Sequence, residues 1–427
     1  MLELVLASTI RYRREWFGCV VVNLADQSTR FFNRSAAYII EQFFAPAAED
    51  SLDFPDRVHA HALVEMLQNK GILVPALADN GISADAAFHL DTMEFQPGIF
   101  HTPLGLEIEL TRRCSRRCSY CSYDSSPTVN TEGELDESAW KSILDNAAGA
   151  GVVFVRFTGG DPMLRHDFWS IVRHADTLGL LITIGSDLSK FAPVDCERLK
   201  SLRNLYCIHT TLDGPNREIA DRLRGNGNFT KVISALPLLR EARIPFLVSM
   251  VITSLNYSLV GETARLARTL GARYFVASPL YAAGRGREVN ALAPNKEQLL
   301  SVARQLRDVS FGGDEELACF ELPSADVDQG ASLARDADWL LLQDGMRAAD
   351  RFMRVDPFGN CYTSIKAVEA LGDGALAGNA TLLSIESIWR NSKLLNTIRS
   401  IPSSETQFGK IVSIKELVGT SSTKEDA

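Results

Sequence analysis

Apolar residues recur along this chain in two rhythms, and the change between them divides it. Within residues 1–80, short β-prone runs at Thr9–Arg14, Cys19–Leu24 and Ser28–Phe32 are separated by Gly18 and by an Ala25–Gln27 turn, which predicts a meander. Asn33 is placed to cap a helix over Arg34–Phe44, with Ala37, Ile39, Ile40 and Phe43 on its apolar face. A second helix over Val58–Lys70 stops at Gly71, and the strand-like Ile72–Val74 precedes Pro75. Strands, helix, then helix and wing is a winged-helix-like α+β order. Residues 81–100 hold no sustained period and carry Gly81, Pro97 and Gly98, so they read as a linker.

From Leu104 onward strands and helices alternate, the pattern of a parallel sheet. Apolar strands are expected at Leu104–Leu110, Val152–Phe157, Leu180–Ile184, Tyr206–Thr211, Phe246–Ile252 and Tyr274–Ser278. Amphipathic stretches at Ser138–Ala148, Asp167–Leu178, Phe229–Ala242 and Leu259–Leu270 lie between them. Six such units predict an α/β core, a partial (β/α)6 barrel over residues 101–310. Beyond it the pattern loosens into an extension, residues 311–402, and a polar tail, Ser403–Ala427.

Composition narrows the function classes. The chain has 427 residues, so two or three domains are expected. Its net charge of −9 argues against a nucleic-acid surface, which wants a basic field. The start, Met1–Gly18, lacks a basic flank before its apolar residues and does not read as a signal peptide; no run approaches the roughly 18 apolar residues of a membrane span. Eight cysteines then belong in a reducing cytoplasm, where clustering suggests metal before disulfide.

The chemistry concentrates after the first barrel strand. Cys114, Cys118 and Cys121 stand on one short loop at a three-then-two spacing. Three thiolates can bind three irons of a cubane and leave the fourth open, whereas closed electron carriers use four cysteines. Zinc is the bland alternative, but it usually wants four ligands, and no Cys or His pair lies nearby in sequence to complete the set.

Cys-x3-Cys-x2-Cys with Tyr120 before the last cysteine, approached by Ile108-Glu-Leu-Thr111, resembles the radical S-adenosylmethionine (radical SAM) superfamily. The resemblance implies a [4Fe–4S] cluster on Cys114, Cys118 and Cys121. Its unique iron would chelate S-adenosylmethionine, which is split to a 5′-deoxyadenosyl radical that takes hydrogen from substrate. Thr158-Gly-Gly-Asp-Pro162 resembles the family's Gly-Gly-Glu-Pro element, with Asp161 in place of Glu. On that likeness Gly159, Gly160, Asp161 and Pro162 would face the methionine amino group. Thr183-Ile-Gly-Ser186 sits where the family has Thr-Asn-Gly-Thr, so Ser186 is a candidate ligand contact despite the missing Asn. Thr210-Thr-Leu-Asp-Gly-Pro215 looks like Ser-Leu-Asp-Gly-Pro and puts Thr211 near the methionine carboxylate. Arg224 is its natural bidentate partner. Asn256 and Gly284-Arg-Gly286 fit the same template.

The matches span residues 104–287 and most resemble the peptide-modifying branch, whose C-terminal SPASM or twitch extension carries auxiliary clusters. Val355-Asp-Pro-Phe-Gly-Asn360 and Ser387-Ile-Trp-Arg-Asn-Ser392 look like that scaffold, yet the usual cysteine position holds Ser364. Only Cys319 and Cys361 lie C-terminal, which implies a degenerate extension without an auxiliary cluster. Cys361 stays open as a catalytic or substrate-binding thiol, while Cys19, Cys196 and Cys207 read as core. Residues 1–80 are similar to the PqqD-like peptide-recognition domain, where a leader peptide adds as a strand beside the third strand, here Ser28–Phe32. A winged helix can equally bind DNA. Arg112, Arg113, Arg116 and Arg117 offset the cluster's negative charge, dock an acidic, flavodoxin- or ferredoxin-like electron donor, or are merely solvated. The expected activity is hydrogen abstraction from a ribosomally made precursor peptide. A small molecule or tetrapyrrole substrate, or a non-catalytic peptide-binding partner, are the alternatives.

Overall fold

A computed structural model of the chain describes residues 3–25, 28–53, 56–76, 87–88, 99–307, 309, 318–322, 341–344, 351–362, 375–400 and 411–412. They fall into two compact units, one of residues 1–101 and 401–427, the other of residues 102–400. Among the described residues no helix is long and apolar enough to cross a membrane.

In the first unit, β1 (Glu3–Leu6), β2 (Ile10–Glu15), β3 (Gly18–Asn23), β4 (Ser28–Asn33), α1 (Arg34–Glu41), β5 (Ala47–Ala48), α2 (Arg57–Asn69), β6 (Leu73–Pro75) and β7 (Ala87–Phe88) follow in order. The meander is β2-β3-β4, antiparallel throughout. The Asn33 side chain accepts from the Ala36 N–H at 2.9 Å, which caps α1 as its sequence position requires. Asp56 does the same for α2, accepting from the His59 N–H at 3.2 Å. Ile10, Tyr12, Val21, Phe32, Ile39, Ile40, Leu63 and Leu67 close a core separate from that of the second unit. Several short strands escaped the sequence reading, two of them as follows. The first, β1, pairs with β5 and β6; the second, β7, turns part of the expected linker into a strand parallel to β2. The rest of 77–98 lies outside the described residues.

The second unit begins with β8 (Gly105–Thr111), α3 (Glu137–Gly149), β9 (Phe154–Gly159), α4 (Phe168–Thr177), β10 (Leu181–Gly185), α5 (Pro193–Lys200), β11 (Leu205–Thr211), α6 (Arg217–Arg224), α7 (Asn228–Glu241), β12 (Phe246–Ile252), α8 (Val260–Thr269), β13 (Tyr274–Pro279) and α9 (Lys296–Arg307). It continues through β14 (Ala318–Leu322), β15 (Leu341–Asp344), β16 (Phe352–Val355), β17 (Asn360–Tyr362), β18 (Leu376–Asn379), α10 (Ile385–Asn391) and α11 (Lys393–Ser400). One sheet runs in the order β15-β14-β13-β12-β11-β10-β9-β8-β16-β17-β18. Strands β8 to β13 are the six expected parallel strands. The sheet does not stop there: β14 and β15 continue the parallel ladder past β13, and β16 adds parallel to the far side of β8. Ala318–Leu322 and Leu341–Asp344 are short apolar runs without flanking helical periods, so the alternation that announces the six units is missing there.

Each barrel strand shows two faces. Phe246, Val248, Met250 and Ile252 of β12 are buried against the helices, while Leu247, Ser249 and Val251 are half-buried on the other side. In β8, Leu106, Ile108 and Leu110 join the helix-facing core and leave Glu107 and Glu109 on the inner face. The extension shares this core rather than forming its own. Ile385, Ile388 and Trp389 of α10 pack with Trp140 and Ile143 of α3, and Ile385 N–H donates to the Asn146 side chain at 2.8 Å.

Candidate active site

Where β8 ends at Thr111, the chain leaves the sheet in a loop whose backbone is tied from several directions. The Cys114 N–H donates to Ser126 O at 3.2 Å, Ser119 N–H to Leu223 O at 3.1 Å and Cys121 N–H to Cys118 O at 3.3 Å. Arg285 reaches across from the segment after β13. Its Nε donates to Cys118 O at 3.0 Å, its Nη2 to Ser125 O at 2.7 Å and its backbone N–H to Cys121 O at 3.0 Å. Arg285 is thus a clamp on the cysteine loop, a role its place in Gly284-Arg-Gly286 did not disclose.

The three thiols are free, Cys114 and Cys118 buried and Cys121 half-buried. Burial, with Asp187 next, pushes the Cys114 thiol up to about 12. Burial also raises Cys118, against the pull of Arg224. Iron bound by these thiols would reverse this, because a coordinated thiol gives up its proton to the metal's charge. The Arg116 N–H already points at Cys114 Sγ, 3.4 Å away. Among the described residues no three His, Cys, Asp or Glu side chains gather as a single-ion site. A cubane asks less of them, since each thiolate serves a different iron.

The Gly159–Gly160 pair at the end of β9 lies flat against this loop. Gly160 N–H donates to Thr111 O at 2.7 Å and Asp161 N–H to Arg113 O at 2.8 Å. Gly159 holds φ +132°, and a Cβ on it would stand 2.2 Å from Thr111 O. A Cβ on Gly160 would stand 2.1 Å from Arg113 O. Only glycine leaves backbone so close to backbone. Pro162 opens a single 3₁₀ turn, Pro162–Leu164, which Asp161 caps by accepting from the Met163 N–H at 3.1 Å. Asp161 therefore fixes the turn that follows the glycine pair. Its carboxylate also accepts from Ser186 Oγ, at 2.9 and 3.1 Å, which brings Ser186 into the same cluster.

Asp187, which no motif singled out, completes that group. It accepts from Ser115 Oγ at 2.7 Å and pairs with Arg116 at 3.4 Å. Burial first, then the neighbouring Asp187 charge, lifts Asp161 well above the carboxylate range. Asp187 is held low against its burial by hydrogen bonds from Asp161, Ser189 and Ser115.

A second polar knot lies on the other side of the loop. Tyr120 OH and Arg224 both meet Asp213, Arg224 at 3.6 Å, and Arg224 Nη1 donates to Tyr120 OH at 2.9 Å. Val251 N–H adds a third donor to Asp213 at 2.8 Å. Arg224 is only 11% exposed at its side chain and Asp213 fully buried, so the pair is strongly tied. Asn256 props the same loop, donating to Asp213 O at 3.0 Å and Val251 O at 2.9 Å. Thr211, half-buried on β11, meets Ser249 Oγ to Oγ at 3.0 Å.

The inner face of the sheet is polar. Tyr123 OH donates to Glu107 at 2.7 Å, and Arg156 pairs with Glu107 at 3.2 Å. Arg354 bonds Glu109 and lies over the Tyr123 ring at 4.5 Å. Burial, then the charges of Arg156 and Arg224, holds His209 well below its ordinary range, so it is neutral. The signal for these residues was the period of two in Leu106-Glu-Ile-Glu-Leu110, where apolar positions claim one face and carboxylates the other. Of the C-terminal thiols, Cys361 is fully buried and raised to about 12 by that burial, with its Sγ 3.7 Å from Gly359 O. Cys319 lies on β14, second in the sheet order, and Cys361 on β17, tenth.

The profile of the Radical SAM superfamily matches residues 108–267. Mycofactocin maturase MftC of Mycobacterium tuberculosis (strain CDC 1551 / Oshkosh) is 30% identical over 316 residues, 72% of this chain and 75% of that protein. PqqA peptide cyclase of Methylocella silvestris is 35% identical over 177 residues, 40% of this chain and 46% of that one. Among solved structures, Streptococcus suis SuiB bound to S-adenosylmethionine shares the fold at a TM-score of 0.66 and 18% identity, covering 94% of this chain and 91% of that one. With a relative this similar over three quarters of its length, and the superfamily's profile matching residues 108–267, the chain belongs to the radical SAM superfamily.

Proposed function

We propose that this enzyme matures a ribosomally made precursor peptide, binding the leader through residues 1–80 and abstracting hydrogen from the core with the radical SAM barrel. The carrying observation is the joint one: a maturase relative aligned over 316 residues, and a first unit with its own core and a meander whose last strand is β4. The matched relatives are, by name, a maturase and a peptide cyclase, which supports peptide over small molecule. The net charge of −9 supports peptide over nucleic acid for the winged-helix-like unit.

In this reading Cys114, Cys118 and Cys121 would hold the [4Fe–4S] cluster, and Gly159, Gly160, Asp161 and Pro162 would cradle the methionine amino group of S-adenosylmethionine. Ser186 fixes the Asp161 carboxyl. Arg224, steadied by Tyr120 and Asp213, is poised for a carboxylate, and Thr211 ends β11 beside Ser249. Bound together, cluster and S-adenosylmethionine supply a 5′-deoxyadenosyl radical that takes a hydrogen atom from substrate. On the inner face the Glu107–Arg156–Tyr123 group offers polar anchors for a peptide. The extension, with Cys361 buried in the core, supports a single-cluster enzyme. Exposed Arg113 and Arg117 on the cysteine loop suit an acidic electron donor of the flavodoxin or ferredoxin kind. A reducing, cytoplasmic setting fits the free thiols.

The test uses peptides encoded by short reading frames beside the gene, incubated with reduced enzyme and S-adenosylmethionine without oxygen. A mass change in one of them, lost when residues 1–80 are deleted while uncoupled S-adenosylmethionine cleavage persists, is the expected result. Turnover of a small molecule that is indifferent to the deletion would overturn the peptide assignment.

A further inference from the structure

The edge of the meander is occupied by the chain itself. Along one side β4 pairs with β3 over its whole length, Ser28 to Asn33. Its other side would leave a row of backbone N–H and C=O groups open, a template for any extended segment. In the structure a two-residue strand, β19 (Ile411–Val412), takes that side, running parallel to β4 with Ile411 opposite Phe31 and Val412 opposite Phe32. The sheet therefore reads β19-β4-β3-β2-β7.

The sequence around β19 is suited to this. Lys410-Ile-Val-Ser-Ile-Lys-Glu-Leu417 sets β-branched and apolar residues into a stretch otherwise rich in Ser, Thr, Lys and Glu. Residues 403–427 hold few other apolar positions, so the tail has one segment able to gain from a sheet edge, and that segment is the one found there. A peptide bound in this mode draws affinity from main-chain bonds and selectivity from alternate side chains. Because the tail is covalently attached, it competes with any free peptide at an effective concentration on the order of millimolar.

We propose that the segment about Ile411–Val412 is a built-in strand ligand of the β4 edge, holding the leader's place until a leader displaces it. This rests on the reading that β4 is the leader-binding edge. It adds two things to that reading: the edge accepts a β-branched strand running parallel to β4, and precursor binding is an exchange rather than a simple addition. An attached strand whose free Kd is about a tenth of its effective concentration fills the edge roughly ten to one, and weakens an incoming peptide about tenfold.

The experiment compares the full chain with an Ile411→Pro/Val412→Pro variant and with a chain ending at Pro402. The probe is a fluorescein-labelled synthetic peptide of residues 408–418, followed by anisotropy, with hydrogen exchange read at residues 28–33. Proline removes the strand's donors without touching the first unit's core. Both altered chains should bind the probe about tenfold more tightly than the parent. In both, amides of 28–33 should exchange faster, and slow again when the probe is added. Equal probe affinity in all three chains, or unchanged exchange at 28–33, would overturn the proposal. The leader reading fails separately, if deleting residues 1–80 leaves precursor turnover intact whatever the β4 amides do.

Discussion

Changing Gly160 to alanine should cost at least about a hundredfold in S-adenosylmethionine cleavage while leaving the chain folded. The added Cβ would lie 2.1 Å from Arg113 O, and its next neighbours are the Arg113 carbonyl carbon at 2.4 Å and Arg112 O at 2.7 Å. All are backbone atoms of the cysteine loop, so no flexible side chain can swing aside, and either the loop or the end of β9 must move. A misplacement of about 1 Å in an active site is enough for a loss of roughly a hundredfold. Gly149, at the end of α3, is the control: nothing lies within 4 Å of a Cβ there. Gly149→Ala should keep full activity and gain up to about 1 kcal/mol of stability. Cleavage rates of the two reconstituted variants, with melting curves beside them, check the pair.

Replacing Asp213 with alanine should have the largest effect on stability. Its carboxylate is fully buried and receives Tyr120 OH, the Val251 N–H and, at 3.6 Å, the Arg224 guanidinium. Burial raises its pKa, and Arg224 and Tyr120 pull it back. Without it Arg224 is left as a buried cation that keeps its bond to Tyr120 OH but loses the carboxylate against it. Breaking one half of such a pair costs about 3–5 kcal/mol. For a unit of this size that lowers Tm by roughly 10 °C. Asp213→Asn keeps two of the acceptor geometries and should lose less. If Asp213→Ala melted with the parent, Arg224 would have found water or another partner, and the tie between this knot and the cysteine loop would be weak. S-adenosylmethionine affinity should fall in the same order, alanine below asparagine below parent.

The six barrel strands and four of the six helices between them, α3, α4, α7 and α8, were legible because buried parallel strands write continuous apolar runs, and amphipathic helices write a period near four. Their ends fell within a few residues of those expected. What stayed hidden depends on partners far away in sequence. Glu3–Leu6 becomes a strand only because Leu73–Pro75 pairs with it, and Ala87–Phe88 only because Tyr12–Arg13 is there. Ile411–Val412 sits in a polar tail that reads as frayed, and its pairing with β4 is a tertiary fact with no local signal. The cysteine loop and the Gly-Gly-Asp-Pro turn could be read directly, since their residue types are dictated by close backbone approach and metal chemistry. Asp187 and Arg285 could not. They act through the loop's carbonyls and hydroxyls, and an aspartate after a strand or an arginine between glycines has many ordinary uses.

The central claim is that Cys114, Cys118 and Cys121 carry one catalytic cluster, and iron decides it most directly. The measurement is anaerobic iron and sulfide analysis with EPR of the reconstituted chain, beside a Cys114→Ala/Cys118→Ala/Cys121→Ala variant. The account predicts about four irons per chain in the parent, none in the variant, and a reduced signal that S-adenosylmethionine perturbs. A cluster that survives in the variant would make Cys319 and Cys361 ligands and contradict the single-cluster enzyme. Zinc, or no metal at all, in the parent would contradict the radical chemistry itself.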